Sequence, residues 1–199
     1  MKDFRLLLVL LSSVLFGLTS CDENDGASEY DNWKERNTQY IDSIATVARA
    51  NADGNWRVIL AEGLNAEAEW PNEYYVYCYS LQTGSGTESP MYSDSVAVNY
   101  SGRLIPTPKY KDGYLFDSSY SGKFDPSFDT PVALELSSLV HGLGTALLHM
   151  VKGDTWRVYI PNRLGYGNEA AGNVPAYSAL IFEINLVEFS PIGVPLPKK

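Results

Sequence analysis

Between Val96 and Leu186 the chain repeats one arrangement: short aromatic or aliphatic runs, each set beside a glycine-bearing turn. They read VAVNYSGRL from Val96, DGYLFDSS from Asp112, VHGLGTALLHMVKGDTWRVYIP from Val140, LGYG from Leu164 and VPAYSALIFEINL from Val174. One carboxylate, Asp117, follows the aromatic Phe116 in this set. The pattern suits an apolar cup with few polar groups. It does not suit a phosphate cradle, a metal site or a nucleophile relay: His141 and His149 are the only histidines and no paired cysteine or Glu-x-x-His motif accompanies them.

The local signals predict several strands and one short helix. Trp56 to Leu60 and Tyr74 to Leu81 are aromatic and β-branched enough to be strands. In Ser95 to Leu104, alternation places Val96, Val98 and Tyr100 on one face and Ser95, Ala97 and Asn99 on the other. Asp112-Gly113 is a tight-turn signal before a strand through Phe116, and Pro131 to Leu136 is a further short strand. Leu139, Val140, Leu143, Leu147 and Met150 have helical spacing, stopped by Lys152-Gly153. Thr155 to Ile160 and Ala179 to Phe189 close the set. This inventory predicts an α+β domain, with an antiparallel sheet burying one face against the helix.

The order and spacing of these segments resemble the FKBP-type peptidyl-prolyl isomerase domain over residues 93–189. The resemblance implies a curved, half-open antiparallel sheet wrapped around one short helix, with the substrate pocket between them. It also implies the site residues. Tyr100 matches a pocket-wall tyrosine, Phe116 an aromatic wall, and Asp117 a carboxylate near the twisting carbonyl. Tyr166 matches the tyrosine whose hydroxyl binds a substrate carbonyl. Leu139 and Val140 match an aliphatic pair at the helix start, where the Val140 N–H donates to ligand; Val174 matches a lip residue and Phe182 an aromatic of the floor. Asp117 keeps two other readings, as a turn aspartate bonding the N–H groups of Ser118 and Ser119, or as partner of a pocket tyrosine. Three positions depart from the family pattern. Leu143 stands where many members have a floor tryptophan, Val132 replaces a rim aromatic, and Asn173 replaces an aliphatic residue. Ile105 to Tyr110 is an added stretch with a bearing on access to the cup. The implied activity is prolyl isomerisation without a cofactor or metal, and the alternative is a proline-segment-binding or chaperone module.

The ends of the chain set its expected location. Lys2 and Arg5 precede an apolar run, Leu6 to Leu18, too short for a membrane span and suited to a signal-peptide core. Leu18-Thr19-Ser20-Cys21 resembles the bacterial lipoprotein cleavage box, which makes Cys21 the acylation point and implies a lipid anchor in the cell envelope. The expected divisions are a signal peptide at 1–20, an acidic tether at 21–29, an N-terminal extension at 30–92, the isomerase-like domain at 93–190 and a proline-rich tail at 191–199. The acidic stretch after Cys21 reads equally as a solvated linker or a surface-export signal. A formal charge of -9 argues against a nucleic-acid partner, which would call for a basic face. With Cys21 acylated, Cys78 has no disulfide partner and reads as a buried thiol. Tyr30 to Ala50 predicts an amphipathic helix presenting Trp33, Tyr40, Ile41, Ile44, Val47 and Ala48. It serves either packing on its own domain or pairing with a second copy, so monomer and homodimer both stand. Clients are proline-containing unfolded or partly folded proteins.

Overall fold

The structure, a computed structural model, describes residues 28–126 and 128–196. The signal peptide, Cys21 and most of the acidic tether lie outside the described residues. The elements in chain order are α1 (Trp33–Ala50), β1 (Trp56–Leu60), β2 (Tyr75–Gln82), β3 (Ser95–Arg103), β4 (Leu115–Ser118), β5 (Val132–Glu135), α2 (His141–Leu147), β6 (Thr155–Ile160) and β7 (Leu180–Ser190). The strands form one curved antiparallel sheet in the order β1-β2-β6-β7-β3-β4. β3 runs through its middle: β7 pairs along one edge, while β5 and β4 share the other, β5 against Ser95–Val98 and β4 against Ser101–Arg103.

β1 and β2, expected as part of an N-terminal extension, are strands of this same sheet, because β2 pairs with β6 from Tyr77↔Tyr159 to Gln82↔Thr155. Ala97, Asn99 and Ser101 are as buried as Val96 and Val98, so both faces of this central strand are covered.

The two helices lie on opposite faces. In β6, residues 159 and 160 point opposite ways. Tyr159 meets Tyr40 of α1 with ring centroids 6.3 Å apart, whereas a Cβ on Gly142 of α2 would come within 2.4 Å of Ile160 Cγ2. Only glycine lets α2 approach the sheet so closely. α2 is shorter than the stretch predicted from Leu139, since Leu136–Ser138 forms a single 3₁₀ turn that leads into it. Leu143, Leu147 and Met150 are buried, as their spacing predicts.

α1 has no proline or glycine, carries Glu35 in its first turn and Arg49 in its last, and so complements the helix dipole at both ends. It stops at Asn51 in the left-handed region, whose N–H reaches Val47 O at 3.1 Å. Its buried face is Trp33, Asn37, Ile41, Ala45 and Ala48, with Tyr40 and Ile44 half-buried. Val47, expected on that face, is 52 % exposed; the stripe is carried by Asn37 and Ala45 in addition to the apolar residues. Arg49 stacks over Tyr75 and Tyr77, fixing the C-terminal turn on β2. Cys78 is fully buried on the α2 face, and burial pushes its thiol up, away from reactivity. Among the described residues no helix is long and apolar enough to cross a membrane.

Candidate functional site

On the α2 face, β3, β4 and β7 bring an aromatic group together. Gly102 stands opposite Asp117 on β4 and Phe182 on β7. Phe116 meets Phe182 edge to face at 5.6 Å, and Tyr100 meets Phe182 at 6.2 Å. A register shift at Gly102/Arg103 lets Phe116 and Asp117 both approach this face instead of alternating away from each other. Phe182 is buried, while Phe116 and Tyr100 are half-buried, as walls of an open cup are.

Two of the readings of Asp117 coexist. Its Oδ2 accepts from the Tyr100 hydroxyl at 2.8 Å, and its Oδ1 accepts from the Ser118 N–H at 2.8 Å. The Ser119 N–H goes instead to Tyr100 O, while the Ser119 hydroxyl accepts from the Tyr100 N–H. Burial, and then the bond to Asp117, pushes the Tyr100 phenol up to about 12, with Tyr166 adding a smaller contribution. The sign follows from the raised value. The stability contributed by this phenol is complete below pH 10.0, its ordinary value, and is lost as pH rises through about 12. A phenolate absorbance titration of the protein minus that of Tyr100→Phe is expected to show this late midpoint. A midpoint at 10 would mean that the hydroxyl is neither shielded nor bonded.

The other sequence-identified residues sit at or in α2, on β5 and in the loop between β6 and β7. Tyr166 follows a 3₁₀ turn at Asn162–Leu164 and is 40 % exposed. Leu139 and Val140 are half-buried at the start of α2, where Val140 O accepts from Leu143 and Gly144. Val132 on β5 stands opposite Val98, two residues before Tyr100. Leu143 is 4 % exposed and belongs to the core beneath. Val174 is 3 % exposed, so it is a root of the lip more than a contact surface, and it exchanges two backbone bonds with Ala171. Asn173 is exposed. The added stretch Ile105–Tyr110 turns on itself through Thr107 N–H to Tyr110 O, and Thr107 Oγ1 bonds Glu29 at 2.5 Å. Its side-chain anchor is therefore the chain just before α1. A separate groove of about 830 Å³ is lined by Tyr40, Arg157, Tyr159 and Glu183 on the α1 side of the sheet, and none of the cup residues lines it.

A curved antiparallel sheet carrying a short helix, with Tyr100, Phe116 and Phe182 clustered beside a bonded carboxylate, defines an FKBP-like α+β domain. The chain belongs to the FKBP-type peptidyl-prolyl cis-trans isomerase family, whose model matches residues 86–187. It is 40 % identical over 108 residues to the peptidyl-prolyl cis-trans isomerase Mip of Coxiella burnetii, covering 54 % of this chain and 41 % of that protein. It is 36 % identical over 115 residues to the macrophage infectivity potentiator of Trypanosoma cruzi, covering 57 % and 52 %. The chain thus spans about half or less of the length of these relatives. Among solved structures it is similar to a peptidyl-prolyl cis-trans isomerase of Pseudomonas syringae, with a TM-score of 0.54 and 28 % identity over 79 % of this chain and 96 % of the other. FkpA of Escherichia coli shares the fold, with a TM-score of 0.53 at 23 % identity over 81 % and 64 %.

Sequence reasoning missed Gly102, although a glycine inside a strand marks a close approach. It also missed the contacts from α1 to the segment after Val174, which no local pattern announces.

Proposed function

We propose that this protein is a lipid-anchored envelope prolyl isomerase acting on X-Pro bonds of exported, unfolded or partly folded proteins. The family membership supports the reaction, and the observation that carries it in this chain is the aromatic cup of Tyr100, Phe116 and Phe182 around one fixed carboxylate. The barrier to X-Pro rotation is about 18–20 kcal/mol and comes from amide resonance. The two end states differ by only about 0.5–1 kcal/mol, so no nucleophile or proton relay is needed. The site must bind the twisted amide more tightly than either planar form. Twisting reduces charge separation across the amide, and apolar walls favour that less polar state. Asp117, held by two donors, sets a fixed negative field at the rim, and Tyr166 offers an exposed hydroxyl to a flanking carbonyl. Cys21 would carry the acyl chains that hold the protein at the membrane. The buried face of α1 is spent on its own sheet, which supports a monomer over a dimer built through that helix.

A second reading, a proline-binding module with weak turnover, is favoured by Leu143, Val132 and Asn173. A protease-free isomerisation assay separates the two. We expect acceleration at micromolar protein, and Asp117→Asn and Tyr166→Phe each to lower kcat/KM about three- to tenfold, the worth of one hydrogen bond. A folded protein with no acceleration would sink the enzymatic reading. Full activity in both variants would remove these residues from the site.

A further inference from the structure

We infer that Asn37 and Trp33, on the N-terminal helix, are positioning residues for the prolyl site, setting the lip that carries Val174 and leads back to Tyr166. The inference rests on the proposed proline-binding cup. Two buried hydrogen bonds cross from α1 to this lip. Trp33 Nε1 donates to Ser178 Oγ at 2.8 Å, and Ser178 Oγ donates on to Pro175 O at 2.6 Å. Asn37 Oδ1 accepts from the Ala179 N–H at 2.8 Å, while Asn37 Nδ2 donates to Trp33 O at 2.7 Å. Asn37 and Ser178 are each 2 % exposed.

The chain between these anchors and the cup has little slack. Tyr177 has φ 63°, which a side-chain-bearing residue adopts only when its surroundings hold it there. Its N–H bonds Gly167 O at 2.9 Å, one residue after Tyr166, and Lys34 Nζ of α1 lies 4.8 Å over its ring. One residue beyond the Ala179 bond, β7 begins at Leu180 and leads to Phe182. α1 therefore grips one end of a segment whose other contacts are the lip residue Val174, the neighbour of Tyr166, and the strand of the cup floor. A polar residue in the buried stripe of a helix is costly unless fully bonded, and Asn37 bonds both ends of its amide, Oδ1 across to Ala179 and Nδ2 back to its own helix at Trp33 O. An apolar residue would fill the same helix face without reaching Ala179.

The test measures the Kd of a proline-containing peptide, together with kcat and KM, for the protein and three variants. Asn37→Leu and Trp33→Phe remove the crossing bonds while keeping side-chain bulk. Ala45→Gly weakens the same helix two turns further on without touching the lip. We expect Asn37→Leu and Trp33→Phe to raise Kd and KM about three- to tenfold with kcat within about twofold of the parent, the loss of one hydrogen bond's worth of positioning. Ala45→Gly should lower the midpoint of unfolding and leave Kd and KM unchanged. Unchanged Kd in both crossing variants, or an equal rise in Ala45→Gly, would overturn the inference. If the parent binds peptide without turning it over, the enzymatic reading falls and Kd still decides the role of α1. If the parent binds no peptide, both fall.

Discussion

Gly102→Ala is expected to cut prolyl turnover at least tenfold in a protein that still folds. A Cβ at this position would lie 2.6 Å from Phe116 Cζ and 2.8 Å from both Phe116 Cε2 and Phe182 Cε1. Real Cβ atoms do not come so close, and so the rings cannot stay as they are. They already meet edge to face at 5.6 Å, and Phe182 is 5 % exposed with no free side to move toward. Phe116, half-buried, yields instead, and its path leads into the cup that the substrate proline would fill. Overpacking of this kind costs about 1–3 kcal/mol. The cost falls on the binding face as well as on the fold, and about 1.4 kcal/mol lost from the transition-state complex is a factor of ten in kcat/KM. Kinetics with denaturant unfolding of the same variant check the claim. A variant with parental kcat/KM would show that the contact of Gly102 with the two rings does not shape the site.

The sequence was most legible where backbone chemistry is local. β1 and β6 begin and end where aromatic and β-branched runs begin and end, because strand propensity and turn residues act over a few positions. The pairing of strands is not local. Nothing in Trp56–Leu60 or Tyr75–Gln82 says that β2 should lie beside β6, some 80 residues away, so these strands read as an extension when they belong to the central sheet. The face of α1 was misread for a related reason. Hydrophobic spacing favours Val47 and passes over Asn37, yet Asn37 is buried because its partner, Ala179, is 142 residues distant in sequence. At the site, the LFDS and VNYSG segments point to Tyr100, Phe116 and Asp117; the structure joins Tyr100 to Asp117 by a hydrogen bond and brings Tyr100 and Phe116 each against Phe182. The direct Tyr100–Asp117 bond was one of several readings, since a carboxylate in that turn has donors on both sides. Side-chain chemistry gave the identity of the cup; tertiary register supplied its shape.

Gly113→Ala should destabilise the fold by about 3 kcal/mol or more, the sum of a conformational and a steric cost. Gly113 has φ +81°, in the left-handed region where an L-residue is disfavoured by about 1–2 kcal/mol. A Cβ there would also sit 1.9 Å from Leu104 O. That oxygen belongs to the backbone and has no rotamer to escape into. Leu104 is 1 % exposed and Ile105 3 %, and the Leu104 N–H is tied to Tyr114 O at 3.0 Å, so the neighbouring chain is held on both sides. Gly113 O in turn accepts from Arg103 Nη1 at 3.0 Å, which couples the turn to the last residue of β3. Gly122 provides the internal comparison, with φ +76° and nothing within 4 Å of an added Cβ. Gly122→Ala carries the conformational cost alone. Urea unfolding of the two variants therefore isolates the steric part as the difference between them. Equal losses would mean that the Leu104 carbonyl moves aside freely, and that the turn before β4 is a loose connector instead of the fixed corner that sets Phe116 and Asp117 in the cup.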